Sequence, residues 1–306
     1  MLRFILKRLG QGALTLGVLV TLTFFVIRLA PGGPFSKSRK LSAEVLANIE
    51  RAYHLDEPLY MQFGRYVWGI LRLDFGPSTR FRDYDVGAIL ASGLPYSLTI
   101  GLWAVLLASV VGVSLGIAGA LRRNSLTDYS AGIIGVAGIA VPIFVIAPLM
   151  QLFFAIRLGW LPVGGWNNGW QSLVLPVIAL SLPNIAYISR LTRSAMIETL
   201  RENYIRTARA KGIGGRRVVW RHAMIGALMP VIAYIGPATA AIITGSILIE
   251  TIFALPGIGR HFVDAALNRD YPLVMGITIV YGGFLILFNI LTDLLRGWLD
   301  PRVRHV

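Results

Sequence analysis

Six apolar stretches, each long enough to cross a lipid bilayer, divide the chain at residues 9–29, 96–121, 129–156, 172–189, 226–249 and 273–295. An α-helix rises 1.5 Å per residue, so roughly 20 apolar residues cover a hydrocarbon layer about 30 Å thick. No water is available inside that layer, and every backbone N–H and C=O must be bonded within its own segment. The pattern therefore predicts an all-α integral membrane protein with six transmembrane helices. Composition agrees: 14% of the residues are charged, against about 25% in a soluble domain. Pro142 and Pro148 are expected to kink the third span. The fourth is the weakest, interrupted by Pro176 and Pro183.

Charge sets the direction of threading. Of the 29 Lys and Arg residues, 17 fall before the first span, after the second, after the fourth or after the sixth. Eight more lie in a long polar insert, where seven acids accompany them, and long translocated loops weigh little in the positive-inside rule. Both termini are thus expected in the cytoplasm. The net charge of +14 is topological and calls for no nucleic acid. The first apolar run reads as a retained anchor, because it is too long for a signal peptide and 30–34 offers no small-x-small cleavage site. The resulting organisation is a tail and first helix at 1–30, an outer polar insert at 31–95, a five-helix core at 96–295 and a tail at 296–306. In the insert, Ser42 starts a predicted helix carrying Val45, Leu46, Ile49 and Tyr53. Pro58 suits the first turn of a second, with Leu59, Phe63, Tyr66, Val67 and Ile70. Trp160, Trp166 and Trp170 suit an outer loop at headgroup level.

Several chemistries are excluded or weak. There is no cysteine, hence no disulfide and no thiol nucleophile. Lys7, Lys37, Lys40 and Lys211 are the only lysines and none follows a glycine, so the chain has no P-loop for ATP. The four histidines are scattered and predict no metal site. Gly112-Val-Ser114-Leu-Gly116 matches a hydrolase elbow but lies in an apolar helix, where small residues serve close packing instead. Arg28, Arg190, Glu250 and Asp293 fall at span ends, so no buried carboxylate is expected to carry a proton. Thr239, Thr244 and Ser246 on the fifth span either face a translocation path or bond their own helix backbone. A set of pore helices without energy coupling of its own points to work supplied by a partner. The other reading is a self-sufficient channel or ion-coupled carrier.

The most polar segment between spans is 198–222, an arginine-rich island. Leu200, Tyr204 and Ala208 recur every four residues and predict one apolar helix face. Glu202 and Arg206 stand at i,i+4 in the favourable order. Gly212, Gly214 and Gly215 are expected to stop the helix and reverse the chain. The residues alone leave two readings open: an ordinary basic loop on the cytoplasmic side, or a rigid knob held at the membrane surface.

The island resembles the "EAA" loop of permease subunits of bacterial ABC importers. Arg206, Thr207, Ala208 and Gly212 occupy the positions of that loop's Glu-Ala-Ala and Gly, with Arg in place of Glu and Thr in place of the first Ala. Arg206-Thr-Ala-Arg-Ala-Lys-Gly212 is the form typical of the peptide and nickel branch. Glu250-Thr-Ile-Phe-Ala-Leu-Pro-Gly-Ile-Gly259 and Asn268-Arg-Asp-Tyr271 are similar too. Arg28-Leu-Ala-Pro-Gly32, Tyr53-His-Leu-Asp-Glu-Pro58 and Asp74-Phe-Gly-Pro77 resemble the B-type subunit of oligopeptide permeases. The resemblance implies a type I ABC importer permease fold in the bacterial inner membrane. It implies a paralogous C-type permease partner, two ABC ATPases that use ATP and Mg, and a periplasmic peptide-binding protein. This chain itself would bind no cofactor. Tyr204, Ala208 and the Gly212 turn would form the nose of a coupling helix, with Arg206, Thr207, Arg209, Ala210 and Lys211 completing it.

Overall fold

Apolar run length dictates the architecture, and the computed structural model is built accordingly; it describes residues 2–29, 51, 54–81, 84–126 and 140–299, with 128, 129, 132 and 138. Regular structure among these is helical, apart from one isolated bridge between Pro77 and Asp85. The elements are α1 (Leu2–Leu29), α2 (Leu59–Leu71), α3 (Val86–Leu121), α4 (Ile143–Met150), α5 (Gln171–Thr199), α6 (Asn203–Ala210), α7 (Met224–Ile252), α8 (Ile258–Asn268) and α9 (Tyr271–Leu299). Five helical stretches are long and apolar enough to cross a membrane: α1, α3, α5, α9, and α7 with its lead-in from Gly215. Of the predicted third span, α4 and a wide i→i+5 turn, Gln151–Arg157, are seen; most of 129–141 lies outside the described residues. So does the predicted helix from Ser42.

Where prolines stand, the helices run differently from the sequence reading. α5 is unbroken through Pro176 and Pro183. It is also the innermost span: 61% of its most apolar window is buried within the protein, against 11% for α1. A helix enclosed by its neighbours needs no lipid-facing apolar surface, which is why its hydropathy looked weak. Neighbouring helices also re-satisfy the backbone groups that a proline frees. α3 begins at Val86, ten residues before the expected boundary, and passes through Pro95. Its 36 residues span about 54 Å, so the first turns stand beyond the hydrocarbon. Pro142 precedes α4, whereas Pro148 lies within it.

Glycines set the closest helix approaches. A Cβ on Gly112 would meet Ile188 Cβ at 2.8 Å, and one on Gly116 would meet the Ser189 carbonyl at 2.6 Å. The Gly112–Gly116 stretch is therefore the α3–α5 contact, with no elbow at Ser114. Gly101 serves α3 against Ile243 of α7 in the same way. Gly12 lets α1 approach Ile286 of α9, and the Arg8–Asp293 ion pair (3.1 Å) closes that end.

At the opposite end, loops are tied down by buried carboxylates. Asp270 is fully buried before α9. It accepts the Ser78 hydroxyl and the Thr79 N–H (3.2 Å), fixing the insert's last loop to the core. Pro58 caps α2 rather than entering it. Phe63 and Tyr66 of α2 pack on Phe24 of α1, with ring centroids 5.3 and 5.7 Å away. Trp160 and Trp170 are exposed, while Trp166 packs edge-on against Tyr96 at 4.8 Å.

The expectation of no buried carboxylate fails at Asp270 and at Glu250, also fully buried. Glu250 lies inside α7, which extends to Ile252. It accepts the Ser246 hydroxyl at 2.6 Å and the Gly259 N–H at 2.7 Å. Arg190 is exposed and Asp293 pairs with Arg8, as span ends should. Arg28 is half-buried, its guanidinium 5.3 Å from the Phe24 ring.

Candidate functional site

The island folds as a knob seated over three spans. α5 ends at Thr199, and a tight turn follows in which the Glu202 N–H donates to the Thr199 carbonyl (3.1 Å). Glu202 is extended (φ −62°, ψ 150°) and stands at the start of α6. Its carbonyl accepts the N–H groups of Ile205 and Arg206. The expected Glu202–Arg206 side-chain pair is not seen among the described residues: Glu202 precedes the helix, and only its backbone carbonyl meets the Arg206 N–H.

At the other end the glycine is decisive. Gly212 has φ +75°, in the left-handed region where glycine alone is unstrained. The Gly212 N–H donates to the Arg209 carbonyl (2.9 Å) and the Ile213 N–H to the Ala208 carbonyl (3.3 Å). That pair of bonds is the Schellman arrangement. Ile213 then packs back on Ala208 within a shared apolar cluster. Gly214 is extended and Gly215 already helical, so only Gly212 needs glycine's freedom. A wide turn, Val218–Ala223, leads into α7.

The face that packs differs from the one read in the sequence. Ile205 and Ala208 are buried, against Ala120 of α3, Met196 of α5, and Val218, Val219, Ala223 and Ala227 leading into and along α7. The turn at 199–202 interrupts the helix, so a period counted from Leu200 does not carry into α6. Ala208 points inward. Tyr204, Arg206, Thr207, Arg209, Ala210, Lys211 and Gly212 are exposed. Burial and the charge of Glu202 push the Tyr204 hydroxyl up from its ordinary pKa. Ile205 was missed, although Ile205, Ala208 and Leu200 would have been flagged by any search for apolar residues in the island.

A second feature braces the same end of the bundle. Arg193 of α5 grips Asp128 with two bonds of 2.6 and 2.7 Å, and the Asn124 N–H adds a third at 3.0 Å. These bonds, the Arg193 one first, hold the Asp128 carboxyl down to about 2. A depressed carboxylate contributes stability above its unfolded pKa of about 3.9, and loses it as pH falls towards the folded value. Asp128→Asn should therefore lower the thermal midpoint at pH 7, with the difference from wild type closing between pH 4 and pH 2. A constant difference across that window would show that the pair is not the cause.

Of the three candidate path residues, Thr239 and Ser246 are buried and Thr244 is half-buried. The Thr239 and Thr244 hydroxyls bond carbonyls one turn back in α7, Ile235 and Ala240 at 2.7 and 3.0 Å. The Ser246 hydroxyl gives its one proton to the Glu250 carboxylate, and its oxygen also lies 2.6 Å from the Ile243 carbonyl.

This geometry can be set beside known proteins. The family described as binding-protein-dependent transport system inner membrane component matches residues 88–305, and its N-terminal counterpart matches residues 1–81. The chain belongs to this family of transport components. Among curated members, the oligopeptide transport system permease protein OppB of Salmonella typhimurium is 50% identical over all 306 residues of both chains. The dipeptide transport system permease protein DppB of Bacillus subtilis is 42% identical over 304 residues, covering 99% of this chain and 98% of that one. The inward-facing MetNI methionine ABC transporter matches 69% of this chain and 96% of its own, with a TM-score of 0.56 and 17% identity. That likeness establishes the type I ABC permease fold. Within the family fold, the knob closes one end of the bundle and the Glu250 and Asp270 loops close the other. The chain is thus a multi-pass permease.

Proposed function

We propose that this chain is the membrane-spanning subunit of an ATP-driven importer of peptides, and that α6 receives the motion of a partner ATPase. The observation that carries the reading is the seat of α6. One short helix, capped by Gly212, shares a single apolar cluster with the ends of α3, α5 and α7, so a push on its exposed face is passed through that cluster to three spans. The names of its full-length relatives support peptides as cargo. In this reading the assembly pairs the chain with a paralogous C-type permease, two ATPases that bind ATP and Mg, and a periplasmic peptide-binding protein. Both termini and α6 face the cytoplasm of a bacterial inner membrane. The chain is not itself an enzyme. Tyr204, Arg206, Thr207, Ala210 and Lys211 present the docking face, and Arg209 and Lys211 supply charge-assisted contacts.

The test is reconstitution. Vesicles holding the chain with its three partner types should accumulate a labelled tripeptide only when ATP is supplied on the ATPase side. Vesicles holding this chain alone should accumulate none. Uphill uptake by the chain alone would favour the ion-coupled carrier and end the proposal.

A further inference from the structure

The Glu250–Gly259 segment, singled out in the sequence, has no part in the knob. It sits at the opposite end of the same rod. The helical stretch that begins at Gly215 runs to Ile252 through the wide turn at Val218–Ala223, 38 residues in all, and its α7 part alone spans about 44 Å. Pro230 and Pro237 lie within it without ending it. Its near end packs on Ile205 and Ala208 of α6. Its far end is joined to α8 by contacts that leave little play.

Five observations define the joint. The Glu250 carboxylate accepts the Gly259 N–H in the first turn of α8, while the Leu255 N–H donates to the Glu250 carbonyl at 2.8 Å. The Ser97 hydroxyl of α3 accepts the Ile258 N–H at 3.0 Å. A Cβ on Gly259 would come within 2.6 Å of Ile247 Cα, so α8 lies directly on α7. Ile258 and Leu255 are fully buried. A carboxylate placed at the N-terminus of α8 is also favoured by the helix dipole. α8 is not free to move unless this joint moves, and α7 does not shift without carrying it.

We propose that Glu250 is a positioning residue for transport: it fixes α8 to α7, so that displacement of α6 on one side of the membrane repositions α8 on the other. The inference rests on the coupling role of α6 given above. It adds that α8 is the element moved at the far side, and it assigns the joint.

Because the chain has no cysteine, single cysteines report cleanly. One is placed at Asn203, exposed in the first turn of α6 and outside the docking face, and another at Leu267, which is 67% exposed on α8. Each is labelled in the full importer in vesicles with a nitroxide, and its environment is read with and without a non-hydrolysable ATP analogue. In the parent both labels should respond. In Glu250→Ala the Asn203 label should still respond, while the response at Leu267 falls at least threefold. Glu250→Gln should behave as the parent, since its amide oxygen accepts from Gly259 and its NH2 donates to the Ser246 hydroxyl. Ser97→Ala, a milder lesion of the same joint, should weaken the Leu267 response if Glu250→Ala fails to assemble. A Leu267 response unchanged in Glu250→Ala, or in Ser97→Ala where the former is lost, overturns the joint while sparing the coupling reading. A silent Asn203 label in the parent overturns both.

Discussion

Replacing Gly212 with valine should reduce ATP-dependent peptide uptake at least tenfold while leaving the amount of protein in the membrane unchanged. The residue holds φ +75° and ends α6 through two carbonyl bonds. A non-glycine residue in that conformation costs about 1–2 kcal/mol, and a β-branched one more. The strain is relieved by opening the cap, which frees the Ala208 and Arg209 carbonyls and unseats Ile213. No atom lies within 4 Å of the position where a Cβ would stand, so the loss does not come from a clash. α6 would then yield under load instead of passing it on. Asparagine tolerates the left-handed region, so Gly212→Asn should retain at least a third of parental uptake. Uptake measured beside ATP hydrolysis separates the outcomes: continued hydrolysis with lost uptake is the expected pattern in Gly212→Val. Equal uptake in the valine and asparagine variants would show that the backbone conformation at Gly212 is irrelevant.

Gly116→Leu should be the most destructive single change in the bundle. Any Cβ at this position meets the Ser189 carbonyl and the Thr192 Cβ at 2.6 Å and the Arg193 N at 3.0 Å. Two of these are backbone atoms of α5, the innermost span, and they have nowhere to go. Overpacking typically costs 1–3 kcal/mol, and a branched side chain against backbone should reach about 3 kcal/mol or more. The expected result is a large fall in folded protein extracted in mild detergent. Ser114→Ala, two residues away, should leave yield, thermal midpoint and uptake unchanged. If the serine change alone abolished activity, the close-packing account of 112–116 would be wrong.

The spans were legible because their lengths answer to bilayer thickness, a constraint that survives without tertiary information. Their ends were less so. Pro95 looked like a boundary and lies inside α3; Pro176 and Pro183 looked like interruptions and lie inside α5. In each case the helix continues through the proline inside a packed bundle, and a sequence does not display its neighbours. α8 carries a usable signal, since Ile258, Phe262 and Ala265 share a helical face. Glu250 shows the limit most clearly. Its position near a span end suggested contact with water, yet Gly257 and Gly259 fold back over it and bury it. Nothing local to residue 250 announces that. The island's glycine stop was readable from composition. Which of its side chains turn inward depended on the 199–202 turn, which resets the helical period.

The central claim is that α6 is the element a partner ATPase pushes. Its most direct test is a single cysteine at Ala210, exposed at the end of α6, in the assembled importer treated with a short bifunctional cross-linker. The account predicts a cross-link from residue 210 to an ATPase subunit, with uptake lost once the bond forms. A cysteine at 210 that links to no ATPase and is instead labelled by a membrane-impermeant reagent from the side of the peptide-binding protein would contradict it.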